Sequence, residues 1–68
     1  MSSSIVELER HALSDGGLAI INRLHRSYSF VRTYDSFERP LDITFELNKE
    51  TAYKMLADTL QNDVLEVE

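Results

Sequence analysis

The sequence predicts a small α+β domain with an N-terminal helix or helix pair, a β-hairpin and a C-terminal helix, and we expect it to be dimeric. Three observations carry this prediction. Residues 41–47 alternate between apolar and polar side chains, as a half-buried strand does. At Asn48 the apolar spacing changes to that of a helix. Residues 28–34 are rich in aromatic and β-branched side chains, which favours a second strand.

The N-terminal segment has the pattern of a capped helix. Ser4 and Glu7 have the spacing of a capping box, and the apolar residues from Ile5 to Leu13 recur at helical intervals. Gly16 and Gly17 follow, and glycine commonly ends a helix because it adopts a left-handed conformation without a steric penalty. We therefore predict a helix over residues 4–14.

Residues 18–27 fit two interpretations. Leu18, Ile21 and Leu24 recur every three residues, which favours a second helix. The β-branched pair Ile20 and Ile21 favours a strand that begins at Leu18. We prefer the helix, and the strand stays open as the alternative.

The C-terminal half predicts a hairpin followed by a helix. Strands over 28–34 and 41–47 are joined by residues 35–40, and Asn48 is a preferred cap for a helix over 49–62. We expect the helices to cover the apolar face of the hairpin, and residues 63–68 fit either a short strand or a docking tail. The predicted core is Ile43, Phe45, Leu47, Met55, Leu56 and Leu60.

Composition limits the classes of protein that the chain can belong to. Its 68 residues make one domain, 1–68, and a core this small favours assembly into a homodimer. There is no cysteine, which excludes disulfides and thiolate metal sites. No apolar run is long enough to span a membrane, and the N-terminus lacks the features of a signal peptide. We expect a cytoplasmic protein that does not contact the membrane.

No arrangement of residues predicts catalysis or a cofactor. His11 lies four residues after Glu7, but one imidazole and one carboxylate are too few ligands for zinc. No serine lies in a nucleophile elbow, and the adjacent glycines form no phosphate-binding loop. We predict that the chain is not an enzyme and holds no cofactor or metal.

Residues 41–60 resemble the strand and first helix of the ribbon-helix-helix family. The resemblance covers about a third of the chain and implies that two copies pair through a strand whose polar face enters the major groove. Here that face carries Asp42, Thr44 and Glu46. Two carboxylates would be repelled by the phosphates, so we do not assign the family and do not expect duplex DNA as a partner.

The charge distribution predicts a binding surface in the middle of the chain. The net charge is −5, yet residues 18–34 contain three arginines and no acid, whereas residues 35–68 contain nine acids against three basic residues. Arginine and tyrosine are common at the centres of interfaces. We predict that Arg23, Arg26, Arg32 and Tyr34 bind the partner. The competing interpretation is that these arginines pair with the acids of the C-terminal half.

The function that fits best is a small acidic regulator without catalytic activity. It would act as an inhibitor, adaptor or anti-activator of a larger protein of unknown identity, and an origin in a phage or mobile element fits its size. The alternative is a small protein that binds or mimics a nucleic acid, since basic and aromatic residues interleave over residues 23–34 and acids are frequent after them.

Overall fold

The chain folds as a four-stranded antiparallel sheet followed by one long helix. The computed structural model describes residues 5–35, 37, 39–46 and 48–67, and the side chains of these residues as far as Asp63. The strands are β1 (Val6–Ala12), β2 (Leu18–Arg23), β3 (Tyr28–Thr33) and β4 (Pro40–Glu46), and the helix is α1 (Lys49–Val67). The strands pair in the order β1-β2-β3-β4, so each strand lies beside its neighbour in sequence.

The prediction of an N-terminal helix or helix pair is wrong. Residues 6–12 form β1, and residues 18–23 form β2 and follow the strand alternative. Leu18, Ala19, Ile20 and Ile21 are all buried, and β2 is a central strand with a neighbour on each side. A continuous apolar run matches the hydrophobic spacing of a helix as well as that of a strand. The spacing therefore did not distinguish the two, and the helix was the wrong choice. Ser4, the predicted helix cap, lies outside the described residues.

A β-bulge in β1 explains why its apolar spacing looks helical. Glu7 pairs with Asn22 and Glu9 pairs with Ile21, so Leu8 is an extra residue without a partner in β2. The extra residue breaks the two-residue alternation of the strand and places Glu7 and Arg10 on the same face. Apolar intervals of three and four residues then arise within a strand.

The turn between β1 and β2 depends on two adjacent glycines. Gly16 has φ +93°, a conformation that side chains rarely adopt. Gly17 lies against β3, and a Cβ on it would be 2.3 Å from the carbonyl oxygen of Thr33. The Asp15 carboxylate accepts a hydrogen bond from the Gly17 amide at 2.8 Å. The sequence correctly predicts that an element ends before the two glycines. It predicts a helix there, whereas the element is the strand β1.

The hairpin and the C-terminal helix are confirmed. β3 and β4 pair antiparallel, from Tyr28 opposite Glu46 to Thr33 opposite Pro40, with Leu41 as an extra residue in β4. The Asn48 side chain accepts a hydrogen bond from the Glu50 amide at 2.8 Å and caps α1. The helix extends to Val67, beyond the predicted end at residue 62, so the segment after Asn62 is neither a strand nor a separate tail as far as it is described.

The hydrophobic core lies between α1 and one face of the sheet, which we call the helix side. Its buried members are Leu13, Ala19, Ile21, Phe30, Ala52 and Leu56, and the partly buried side chains packed against them include Leu8, Tyr28, Tyr53, Met55 and Leu60. Leu56 is thus a core residue as predicted, and Met55 and Leu60 pack at the margin of the core.

The C-terminal part of α1 contacts the turn between β1 and β2. The Asp63 carboxylate accepts a hydrogen bond from the Ser14 hydroxyl at 2.7 Å.

Two predicted core residues lie on the opposite face of the sheet, which we call the outer face. Ile43 pairs with Val31 and Phe45 pairs with Ser29, while Phe30 of the core pairs with Thr44. Since side chains alternate along a strand, Ile43 and Phe45 point away from the helix. They are 46% and 64% exposed, so their assignment to the core is wrong, as is the expectation that the helices cover this face. Leu47 lies outside the described residues.

Candidate functional site

The turn between β2 and β3 gathers most of the unpaired positive charge that the structure describes. Residues 24–27 connect the strands, and the Leu24 amide donates a hydrogen bond to the Ser27 carbonyl at 2.8 Å. Arg23, His25 and Arg26 are exposed. Together with Leu24, Ser27 and Tyr28 they line an open concavity of about 340 Å³. We call residues 23–28 the cationic turn.

The arginines of the cationic turn, unlike Arg10, Arg39 and Lys54, have no acidic partner within the described chain. Arg10 contacts the Glu7 carboxylate at 2.7 Å. Arg39 forms an ion pair with Asp35. Lys54 lies 3.4 Å from the Asp58 carboxylate. Among the described residues no such pair involves Arg23 or Arg26, so their charge is available to a ligand.

Arg32 and Tyr34 lie away from the cationic turn. They are at the opposite end of β3, which at about 3.3 Å per residue is roughly 15–20 Å from Arg23 and Arg26. The Arg32 guanidinium lies 3.9 Å from the Asp15 carboxylate, and its Nε is buried without a hydrogen-bond partner in the described structure. Tyr34 is 62% exposed. The structure thus brings together two of the four residues predicted to bind a partner.

The predicted partner-binding residues leave out two further residues that line this concavity, His25 and Tyr28. The strand interpretation of residues 18–27 would have found them, because it places residues 24–27 in a hairpin turn beside Arg23. Tyr28 is half-buried and packs against the core, so it holds one side of the concavity in place. His25 is exposed at the tip of the turn.

A second exposed feature is apolar and lies on β4. Leu41, Ile43 and Phe45 are 46%, 46% and 64% exposed, and β4 is an edge strand of the sheet. The polar residues Asp42, Thr44 and Glu46 lie on the helix side, where Asp42 stays exposed and the other two are partly buried. The apolar face of β4 points away from the helix and is accessible.

His11 and Glu7 do not share a helical face, because both residues are in β1. His11 Nε2 lies 3.0 Å from the Glu9 carboxylate instead. Within the described residues no group of three or more potential ligands could hold a metal ion.

Two carboxylates, those of Glu7 and Asp35, have lowered pKa values because of arginine neighbours. Hydrogen bonds from Arg10 lower the pKa of Glu7 below its usual value. Hydrogen bonds from Arg39, with a further one from the Phe37 amide, lower the pKa of Asp35 in the same way. In both cases the charged form is the one that the neighbour stabilises.

The chain matches no protein-family model, and comparisons with curated proteins and with solved structures found no match either. In the described part of the chain, no helix combines the length and the apolar composition that crossing a membrane requires.

Proposed function

We propose that this protein is a small regulator without catalytic activity that binds an acidic surface of a larger protein through its cationic turn. One observation carries the proposal. Arg23 and Arg26 lie exposed on the same tight turn, and among the described residues neither is neutralised by a carboxylate. This arrangement supports binding of these arginines to a partner. It argues against the competing interpretation, in which they pair with the acids of the C-terminal half.

The chemistry of the turn fits carboxylates on another protein. A guanidinium donates two parallel hydrogen bonds to a carboxylate, and a planar donor of this kind is well suited to interfaces. The concavity is lined largely by polar and charged groups, whereas pockets for small molecules are mostly apolar. A protein surface is therefore a better fit than a small molecule.

The rest of the molecule would orient the encounter. The chain carries a net charge of −5, yet the cationic turn is positive. An acidic partner is repelled by most of the surface and attracted at this one end, which favours a single orientation and raises the association rate at low salt.

The residues at the turn give little support to catalysis. Ser27 and His25 both line the concavity, but in the described structure no hydrogen bond joins them, and an activated serine needs a base in contact with its hydroxyl. The homodimer and the cytoplasmic location predicted from the sequence belong to the same proposal. The location is supported by the lack of cysteine, since small secreted domains commonly depend on disulfides.

The test is charge reversal at the turn with a matched control. Partners are first captured from the native host with the wild-type chain and identified by mass spectrometry, and the affinity of the purified pair is then measured by calorimetry. Arg23→Glu with Arg26→Glu should weaken binding by more than about tenfold and leave the melting temperature nearly unchanged. Lys49→Glu with Lys54→Glu makes the same change in net charge on α1 and should weaken binding far less.

Two results would overturn the proposal. Equal weakening by both double variants would mean that net charge alone matters and that the turn is no interface. The second result is salt-sensitive retention of the wild-type chain on DNA or heparin that the arginine variant loses. It would mean that the cationic turn binds a nucleic acid, which is the alternative function.

A further inference from the structure

We infer that the free edge of β4 is the surface through which two copies of this chain assemble, by pairing antiparallel to each other across a two-fold axis. The two sheets would then join into one continuous sheet. This inference concerns β4 alone and does not depend on whether the cationic turn binds a partner.

The edge position of β4 is the first support. Within the described chain, β4 pairs with β3 on one side and has no strand on the other. An unpaired strand edge presents a row of backbone donors and acceptors that readily accept another strand. Pairing two identical edges satisfies those groups in both copies at once.

The opposite edge of the sheet is protected, which makes β4 the preferred site. β1 contains the bulge at Leu8, and its outer face carries the Glu7–Arg10 ion pair. Bulges and charged side chains are features that prevent a strand edge from pairing. β4 also has a bulge, at Leu41, but only at its start beside Pro40, and from Ile43 to Phe45 its outer face carries no charged residue.

The surface available on β4 is suited to a small interface. An aromatic side chain can bury about 150–250 Å², so the 64% exposed Phe45 leaves roughly 100–160 Å² accessible in each copy. Two such rings supply about a fifth of the roughly 1,200 Å² that the smallest specific interfaces bury. Leu41 and Ile43 of both copies, each 46% exposed, and the two strand backbones add to this area.

Charge excludes two registers of the pairing. Asp42 and Glu46 both lie on the helix side of β4, and like charges directly opposite each other destabilise a strand pair. A two-fold axis at Thr44 would place Asp42 opposite Glu46 of the second copy, and an axis at Asp42 would oppose two Asp42 side chains. An axis at Ile43 avoids both contacts, since Asp42 then lies opposite Thr44.

The same register also matches the apolar side chains. With the axis at Ile43, the two Ile43 side chains face each other, and Phe45 of each copy comes near Leu41 of the other. The contact is apolar throughout on the outer face, so the net charge of −5 imposes no like-charge contact there. A second copy is therefore the occupant that the chemistry of β4 fits.

Sedimentation equilibrium with matched variants tests the assembly. The wild-type chain should sediment as a dimer of the 7.8 kDa protomer. Ile43→Glu should raise the dissociation constant by more than about tenfold, because it places two carboxylates opposite each other. Val6→Glu makes the same change at a 43% exposed apolar residue on β1 and should leave the dimer intact. Circular dichroism checks that both variants stay folded, which the exposure of both positions predicts.

Disulfide trapping tests the register, and the lack of native cysteine makes it specific. Ile43→Cys should give a covalent dimer on mild oxidation, because only the residue on the axis lies opposite itself. Thr44→Cys should not. Sedimentation as a monomer, or a dimer that Ile43→Glu and Val6→Glu affect equally, would overturn the inference. Trapping at Thr44 but not at Ile43 would overturn the register.

Discussion

The Leu18 amide donates a hydrogen bond to the Thr33 hydroxyl at 2.9 Å, and that hydroxyl in turn donates to the Asp35 carbonyl at 2.7 Å. Thr33 is 2% exposed, so one buried hydroxyl satisfies a donor at the start of β2 and an acceptor after β3. The Thr33 side chain thus supplies hydrogen bonds to two backbone groups that would otherwise lack a partner at the end of the strand pair.

Thr33→Val should destabilise the domain by about 1–3 kcal/mol, because the shape is kept and both backbone groups lose their partner in a buried place. Urea unfolding gives the free energy. Thr44→Val is the control, since in the described structure its hydroxyl makes no comparable hydrogen bond. Equal stability of Thr33→Val and wild type would mean that water replaces the hydroxyl.

Gly17→Ala should be destabilising by about 1–3 kcal/mol, because its Cβ would lie 2.3 Å from a backbone oxygen that cannot move aside without shifting β3. Gly16→Asn should cost less. A Cβ on Gly16 would meet no atom within 4 Å, and asparagine tolerates positive φ better than other side chains. Thermal melting of the two variants compares them, and a reversed order would contradict the close approach of Gly17 to Thr33.

Leu56→Ala should cost about 2–5 kcal/mol, since Leu56 is 4% exposed and packs in the core. Phe45→Ala should have a small effect in dilute solution, where the protomer is alone, because its ring is exposed. Unfolding at low and high protein concentration separates the two contributions of Phe45. A large loss of stability for Phe45→Ala in dilute solution would show that the outer face is covered within the protomer.

Acid should weaken the fold partly through Asp35. Its pKa is lowered in the folded chain, so its ionised form contributes stability above the usual value of 3.8, and that stability is lost as pH falls through the lower, folded value. Arg39→Gln should raise the pKa of Asp35 toward its usual value, as measured by NMR titration of the side-chain carboxyl. Arg10→Gln should do the same for Glu7 and leave Asp35 unchanged. If the pKa of Asp35 is the same in Arg39→Gln as in the wild type, the ion pair between Arg39 and Asp35 does not form in solution.

Arg32→Glu should lower stability, whereas Arg23→Glu should not. Arg32 lies beside Asp15, and its Nε is buried, so reversal brings two carboxylates together next to the β1–β2 turn. Arg23 is exposed and has no ion pair among the described residues. Melting temperatures of the two variants decide this, and equal values would return Arg32 to the candidates for partner binding.

The sequence predicts local structure best where one period dominates. The alternation of residues 41–47 and the cap at Asn48 correctly predicted β4 and α1. Periodicity failed in the N-terminal half for a physical reason. The bulge at Leu8 and the buried run from Leu18 to Ile21 both produce spacings that a helix shares, and only pairing with other strands decides between them.

The choice of buried face lies beyond what alternation can predict. The pattern of β4 correctly separates Ile43 and Phe45 from Asp42 and Thr44, but the helix covers the side of the sheet to which Ile21 and Phe30 of the central strands contribute. The charge pattern of the sequence predicts Arg23, Arg26, Arg32 and Tyr34 as one binding surface. The sequence alone does not reveal that Arg32 and Tyr34 lie at the other end of β3 from Arg23 and Arg26.

The order of the strands has a consequence for how the chain reaches its native state. Each strand pairs with the next one in sequence, so every strand pair of the sheet is a local hairpin and none joins distant segments. Rates of folding rise as contacts become more local, and a meander of this kind belongs toward the fast end for β-containing domains. The contact between Ser14 and Asp63, which spans 49 residues, is among the last that chain closure can complete. Removing it should therefore speed unfolding and leave the refolding rate nearly constant.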